Sequence, residues 1–585
     1  MTSFRVEQLP FSPGALKTWS EPNGRHTNWP VVYTLNGAEE IYVGETLNAA
    51  VRMRQHLESA EKRHLQAVRI VIDETFNKSA CLDLESYLIR LFAADTRFKV
   101  LNRNEGITDS DYYDRDRYRD AFERIFEELR TQGMFTRSLP DIENSDLFKL
   151  SPFKALNQDQ AVAVEDILEG LFADLAEGNR SSIVIQGEPG TGKTIVGIFL
   201  TKLLRDIQYS NPHEKLDSES LFSEFFAEGY PEMLRDFKIG LVVPQQSLRK
   251  SIDKVFRRTP ALGKGLVYSP FDIGESQEHF DLLIVDETHR LSQRANQPSG
   301  PLNRKFAAIT ERLFGRDDLS KTQLDWIRAK STHQLFLLDT SQSVRPADLP
   351  TRVLDQLVDE ARRHWRYYPL SSQMRVLAGS DYIDYVRGIL TGAEVNPTRF
   401  PGYDLRLFDD LGRMRDEIRR RDAEYGLSRL VAGYAWPWRS KADPTAFDIE
   451  VDGCRLRWNS VPVDWINSPG SVDEVGSIHT VQGYDLNYAG VIIGPDLRYD
   501  PRSGQLFVDR DSYHDKKGKE NNPTLGLVFS DDDLLRFIAN IYAVLMTRGV
   551  RGTYVYVDDP DLRAYLGRFL TPKDDPRAGG YRSTM

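Results

Sequence analysis

The chain has 585 residues, 40% of them apolar and 11% aromatic, and a formal net charge of −11 from 76 basic and 87 acidic side chains. That length exceeds one ordinary core and predicts about three or four globular units, while the acidic balance excludes a generally basic nucleic-acid coat but not a local basic channel. Two cysteines, Cys81 and Cys454, give no disulfide framework or cysteine zinc site; no apolar run reaches membrane-spanning length and Met1-Thr2-Ser3-Phe4-Arg5 has no signal-peptide core, so we expect a cytoplasmic protein of a reducing compartment with no membrane association.

Residues 1–28 are mixed and rich in turn formers. Residues 29–106 predict a small α/β unit, with strands near 31–35 and 41–43 and helices near 47–60 and 82–94. Asn36-Gly37 between apolar runs is a hairpin signal, which sets Tyr33 and Tyr42 on neighbouring strands. Asn48, Arg52 and His56 follow at a spacing of four, on one helix face. Glu85 falls on the next helix, and Asn102 comes after it. Residues 107–150 predict a helical connector: dense alternating charge over 108–133 reads as a solvated helix, and the polar stretch 134–150 as a boundary.

Residues 151–350 predict a parallel-sheet ATPase lobe. Ile183-Val184-Ile185 leads into Gly187-Glu188-Pro189-Gly190-Thr191-Gly192-Lys193-Thr194 and then into an apolar helical run. Strand, glycine-rich turn and helix make a phosphate-binding loop: Gly187, Gly190 and Gly192 let backbone N–H groups curl around phosphates, Lys193 meets the β- and γ-phosphates, and Thr194 offers a hydroxyl to Mg²⁺. The buried strand Asp281-Leu282-Leu283-Ile284-Val285 ends in Asp286, placed near the metal, and Glu287, which can orient or deprotonate the attacking water. The implied cofactors are ATP and Mg²⁺.

Residues 351–570 predict a second lobe, with an accessory insertion about 395–470 that is polar and rich in proline and aromatics. Trp436, Trp438 and Trp458 in it suit packing better than base stacking. Residues 571–585 are expected to be disordered.

The order of motifs over about 150–560 resembles superfamily-one helicases, and more closely the Schlafen-like bacterial DNA/RNA helicase domains. By that resemblance Gln160, in Leu156-Asn157-Gln158-Asp159-Gln160, reads the adenine edge. Val242-Val243-Pro244-Gln245-Gln246-Ser247-Leu248-Arg249 resembles a motif contacting the nucleic-acid backbone. Gln342, in Leu337-Leu338-Asp339-Thr340-Ser341-Gln342, would sense the γ-phosphate, although Leu338 replaces the usual glycine. Arg375, in Leu370-Ser371-Ser372-Gln373-Met374-Arg375, and Arg548, in Ile541-Tyr542-Ala543-Val544-Leu545-Met546-Thr547-Arg548, stand where arginines reach the γ-phosphate from a second lobe. Ile478-His479-Thr480-Val481-Gln482-Gly483-Tyr484-Asp485 resembles a further motif, with Asp485 where many relatives have Glu.

Residues 29–106 resemble the GIY-YIG endonucleases in the tyrosine pair, the arginine eight residues after Gly44, the histidine four later, the glutamate and the asparagine; Val31-Val32 replaces Gly-Ile and Val43 replaces Ile. The resemblance implies that Glu85 binds a divalent metal (Mg²⁺, or Mn²⁺), Tyr33 is the general base, Arg52 steadies charge at phosphorus, and Tyr42 and His56 orient the phosphate or tune the base. The fold expected is therefore α/β, a small nuclease domain followed by two RecA-like lobes. The function expected is an ATP-driven nucleic-acid translocase or helicase coupled to an endonuclease acting in repair, restriction or antiphage defence, with DNA favoured as partner and RNA possible. The rival readings are a motor whose N-terminal domain binds without cutting and a protein-remodelling ATPase. The sequence leaves the oligomeric state open.

Overall fold

The computed structural model describes residues 4–19, 24–59, 61–103, 112, 115–210, 221–294, 296–339, 345–393, 395–461, 464–481 and 483–570. The tail 571–585, Gln342 and Gln482 lie outside the described residues. The chain forms two compact units: Met1–Arg180 with Thr194–Leu241 and Ser251–Val267, and Ser181–Lys193 with Val242–Lys250 and Tyr268–Met585.

The first unit opens on a five-stranded sheet in the spatial order Phe4–Pro10, Ala67–Asp73, Val31–Asn36, Glu40–Thr46, Lys99–Val100. The first four are antiparallel neighbours and the last pair is parallel. The Asn36-Gly37 turn forms as expected, with Gly37 N–H donating to Glu40 O at 2.9 Å, and it sets Tyr33 opposite Gly44. Strand side chains alternate between faces. Val31, Tyr33 and Leu35 therefore enter one core with Ala49 and Met53, while Val32, Ile41 and Val43 enter another with Cys81, Leu84 and Leu88. The helix Ala49–Glu58 covers the first face, begun by Asn48, whose side chain accepts from Val51 N–H. The helix Lys78–Asp95, begun in the same way by Asn77, covers the second.

Three expectations for this region are corrected. Phe4–Pro10, read as turn-rich, is a strand of the sheet. The charged helix, Arg115–Thr131, is solvated on one side only: Tyr118, Phe122, Ile125, Phe126 and Leu129 recur at helical spacing and are buried in the same core as the helix Lys78–Asp95. The stretch read as a polar boundary folds onto that core too, through the short helices Leu139–Glu143 and Asp146–Lys149, with Met134, Phe135, Ile142, Leu147 and Phe148 buried.

The second unit holds two parallel sheets. In the first, Tyr367–Leu370, Ser181–Gly187, Ser331–Leu338 and Phe280–Val285 lie side by side, all parallel. The second runs Asp404–Phe408, Gly549–Val557, Leu486–Ile493, Ser428–Ala432, Val475–Ser477, also all parallel. Two elements differ from expectation. Tyr367–Leu370, placed in the second lobe by its sequence position, pairs instead with the strand that ends in the phosphate loop. Asp404–Phe408 and Ser428–Ala432, inside the segment expected to be an insertion, are strands of the second sheet; the hairpin Ile449–Val451/Cys454–Leu456 is what stands apart from it. Trp458 is buried and stacks on Tyr434, with Trp436 and Trp438 packed against the same core, so these rings serve packing.

Candidate nucleotide-binding and nuclease sites

The phosphate loop follows the strand Ser181–Gly187 and ends at the helix Lys193–Gln208, whose second residue is Thr194. Gly190 has φ +90° and Gly192 φ +79°, backbone conformations that disfavour any side chain. Lys193 is buried, and its Nζ donates to the carbonyls of Gly187 at 2.6 Å and Glu188 at 2.8 Å. Burial lowers its pKa, while Asp339, 3.9 Å away, and then Glu287 and Asp286 favour its charged form. Asp286 is buried at the end of its strand, where its N–H donates to Val242 O. Glu287 adopts the left-handed conformation, φ +48°, which costs a non-glycine residue about 1 kcal/mol or more. Burial raises its pKa, but His289 at 3.0 Å, Lys193 and Arg290 outweigh this and hold it well below the usual carboxylate range.

Both predicted arginines come to this cluster. Leaving the strand Tyr367–Leu370, the chain crosses the loop: Met374 N–H donates to Gly190 O at 2.9 Å, and Gln373 Nε2 donates to Pro189 O at 2.6 Å. Arg375 thus reaches the site from a strand of the first sheet, and pairs with Asp485. Arg548 follows the helix Asp531–Met546 of the second lobe. It is buried, and burial first, then the neighbouring Arg375, lowers its pKa to about 9, with Asp485 and Glu287 opposing. Its Nε is buried and, among the described residues, has no hydrogen-bond partner. Arg387, which sequence did not single out, pairs with Glu188 of the loop at 2.7 Å. The motif expected along the nucleic-acid backbone meets the motif that ends in Asp485: a Cβ on Gly483 would lie 3.1 Å from Gln245 Oε1. Gln160 is the third residue of the helix Gln158–Glu177, and its Oε1 accepts from Asn157 N–H at 3.1 Å in a capping box.

On the small sheet, Tyr33 Oη lies 2.7 Å from His56 Nε2, and Arg52 Nε donates to the same hydroxyl at 3.4 Å. Tyr42 stands with its ring centroid 5.3 Å from that of His56 and under Lys62, whose Nζ is 3.7 Å from the ring. Burial, then Lys62 and Arg52, lowers the His56 pKa to about 2. The ring is therefore neutral near pH 7, and its Nε2 shares one hydrogen bond with the Tyr33 hydroxyl. Tyr33 lies directly against Gly44, where a Cβ would collide with its hydroxyl.

Glu85 belongs to the helix on the other face of the sheet. Burial pushes the Cys81 thiol up, and Glu45 and Glu85 push it further, so the two carboxylates share that neighbourhood; Lys78 Nζ binds Glu45 Oε1 at 2.6 Å. The register pairs Tyr33 with Gly44, and Glu45, next along, belongs to the opposite face with the helix that carries Glu85. Asn102 is an anchor for this strand: its side chain accepts from Val43 N–H at 3.1 Å and donates to Val43 O at 2.8 Å. Glu45 and Lys78 went unremarked in the sequence, since only the register of the strand pairs them.

Two parallel sheets, one ending in a phosphate loop, together with an antiparallel sheet bearing a tyrosine–histidine–arginine group, define a helicase-like protein with a nuclease-type domain. The chain belongs to the Schlafen group 3, DNA/RNA helicase domain family, which matches residues 180–559. Residues 31–99 match the GIY-YIG catalytic domain. A relative, the uncharacterized protein YPL245W of Saccharomyces cerevisiae (strain ATCC 204508 / S288c), is 26% identical over 470 residues, 73% of this chain and 94% of the relative. The solved complex of Arterivirus nonstructural protein 10 (helicase) with DNA matches at 14% identity and a TM-score of 0.28, and the match covers 66% of this chain and 62% of that one. Among the described residues, no helix is long and apolar enough to cross a membrane.

Proposed function

We propose that this protein is a nucleic-acid-stimulated ATPase motor coupled to a metal-dependent nuclease that cleaves phosphodiester bonds. The observation that carries the motor reading is the convergence of Lys193, Arg375 and Arg548 with Asp286, Glu287 and Asp339. Two guanidinium groups close enough that Arg375 lowers the proton affinity of Arg548, whose buried Nε has no hydrogen-bond partner among the described residues, fit a site built to meet an anion. A nucleoside triphosphate with Mg²⁺ would supply that negative charge and the transferable phosphoryl group. Lys193 and the loop N–H groups would hold its phosphates, Thr194 and Asp286 its metal, and Gln160 and Gln342 remain candidates for reading base and γ-phosphate. Glu287, kept ionised, orients water better than it removes a proton. Because Arg375 follows a strand of the first sheet and Arg548 leads into a strand of the second, phosphate binding by both would draw the lobes together and hydrolysis would release them.

At the second site Arg52 would balance charge on the scissile phosphate, while His56 fixes the Tyr33 hydroxyl, whose own proton must pass to solvent before the phenolate can take one from the attacking water. The Glu85 carboxylate would hold Mg²⁺ or Mn²⁺, with phosphate and water completing the shell, as suits a hard cation. One observation favours the rival in which this domain binds without cutting: Tyr33 is 0% exposed.

The test is cleavage of labelled single- and double-stranded DNA and RNA with Mg²⁺ or Mn²⁺, with and without ATP. Cutting by the parent that is lost in Glu85→Ala supports the nuclease; cutting that loses its ATP response in Lys193→Ala supports the coupling. ATP turnover stimulated by nucleic acid with no cleavage would leave the motor with a docking domain, and turnover indifferent to nucleic acid would overturn both.

A further inference from the structure

The helix Thr351–Arg363 ends in a backbone arrangement made for glycine. Trp365 N–H donates to Arg362 O at 3.2 Å and Arg366 N–H to Ala361 O at 2.9 Å, the double closure of a Schellman motif, and Trp365 occupies its left-handed position with φ +57°. A bulky aromatic residue is strained there. Nor does burial compensate, because Trp365 is 88% exposed, the one exposed large apolar side chain within 351–370 among the described residues. The ring thus does nothing for folding that glycine would not do better.

Its neighbours are cationic. Arg362 and Arg363 are exposed on the last helical turn and Arg366 is half-buried on the strand side. Arg362 stacks on Tyr367 with its guanidinium carbon 4.4 Å from the ring centroid, and Arg363 Nε donates to Asp359 O at 3.3 Å. Of the acids one turn back, Glu360 is paired with Arg328 at 2.7 Å and Asp359 is exposed. Basic residues at a helix C-terminus are ordinary complements of the helix dipole; an exposed, strained indole among them is not. A protein-binding patch would gather several apolar side chains. One indole among guanidinium groups instead suits a strand with one face to stack and phosphates alongside.

We propose that Trp365, with Arg362, Arg363 and Arg366, is a second contact site for single-stranded nucleic acid, in which a base stacks on the indole and the arginines meet flanking phosphates. The site is separate from the motifs at the phosphate-loop end. Leu370 pairs with Gly187 beside the loop, whereas Arg366 lies at the opposite end of the same strand, about 13 Å away at ~3.3 Å per residue. The proposal rests on the reading of the chain as a nucleic-acid motor.

The test uses the full chain and a labelled single strand of ~12 nucleotides, within the range one such groove occupies. Trp365→Gly should bind about fivefold more weakly or worse, with an unfolding temperature equal to or above the parent's; Trp365→Phe should recover most of the affinity. In an iodouridine-substituted strand, photocrosslinking should map to Trp365. Undiminished binding by Trp365→Gly with no crosslink there, while the parent binds, overturns this site and leaves the motor reading standing. A parent that binds no nucleic acid overturns both. A Trp365→Gly variant of lower unfolding temperature would assign the ring to folding and also overturn the proposal.

Discussion

Acidification probes the nuclease-type site through His56. In the unfolded chain its imidazole titrates at the ordinary 6.5, whereas burial and the nearby Lys62 and Arg52 hold it to about 2 in the fold. Between those values the unfolded chain carries a proton that the folded chain does not. Its contribution is therefore neutral above pH 6.5, and stability falls as pH drops below it, by about 1.4 kcal/mol per unit. At about pH 5 the accumulated loss is about 2 kcal/mol. Hydrogen exchange of the strand Val31–Asn36, read by mass spectrometry in parent and His56→Gln, measures the local opening energy at about pH 7.5 and about pH 5. The parent should lose about 2 kcal/mol more than the variant over that interval. Equal losses would mean that His56 is protonated in the fold, and its role as a neutral partner of Tyr33 would fail.

Other outcomes follow from single contacts. Gly44→Ala drives a methyl into the Tyr33 hydroxyl, so it should destabilise the small domain by about 1–3 kcal/mol in urea unfolding and depress cleavage more than binding. Gly190→Ala meets both a left-handed φ and the Gln373 side chain; nucleotide affinity, measured by calorimetry, should fall about tenfold or more. Glu287→Gln should keep nucleotide affinity and lower turnover about a hundredfold or more in a phosphate-release assay. Asp496 is buried beneath the Tyr542 hydroxyl, and burial raises its pKa to about 7. The unfolded chain loses this proton near 3.8 and the folded chain only near 7, so stability falls as pH rises between those values, and Asp496→Asn should raise the unfolding temperature more at about pH 8 than at about pH 5.

What the sequence shows of this molecule is what depends on neighbours along the chain. The phosphate loop is one contiguous run between an apolar strand and an apolar helix, and Asp286-Glu287 closes another such strand. The hairpin carrying Tyr33 and Tyr42 announces itself by apolar runs around Asn36-Gly37. By contrast, Phe4–Pro10 shows mixed exposure along an edge strand, so no alternation marks it. The stripe from Tyr118 to Leu129 is masked by the charges between its members. Asp404–Phe408 is too short and too polar to signal a strand within a parallel sheet. The crossing of Arg375 over the loop depends on the pairing of Tyr367–Leu370 with Ser181–Gly187, a relation between segments far apart. Exposure of Trp365 is likewise invisible in sequence, where a tryptophan beside a helix end reads as core.

The layer over the helix Lys78–Asp95 bears on how the nuclease-type domain can be excised. Phe92 stacks on Phe135 with centroids 4.2 Å apart, Phe76 meets Phe122, and the Tyr87 hydroxyl donates to Glu143 at 2.8 Å. A fragment cut after residue 106 would carry the strands and the candidate residues, yet would expose the outer side of the helix that holds Glu85. That core runs on through Phe153 and takes in Val255 from further along the chain, so covering the helix takes at least the residues through Phe153. The charged stretch that resembles a tether is in this sense the domain's own outer wall.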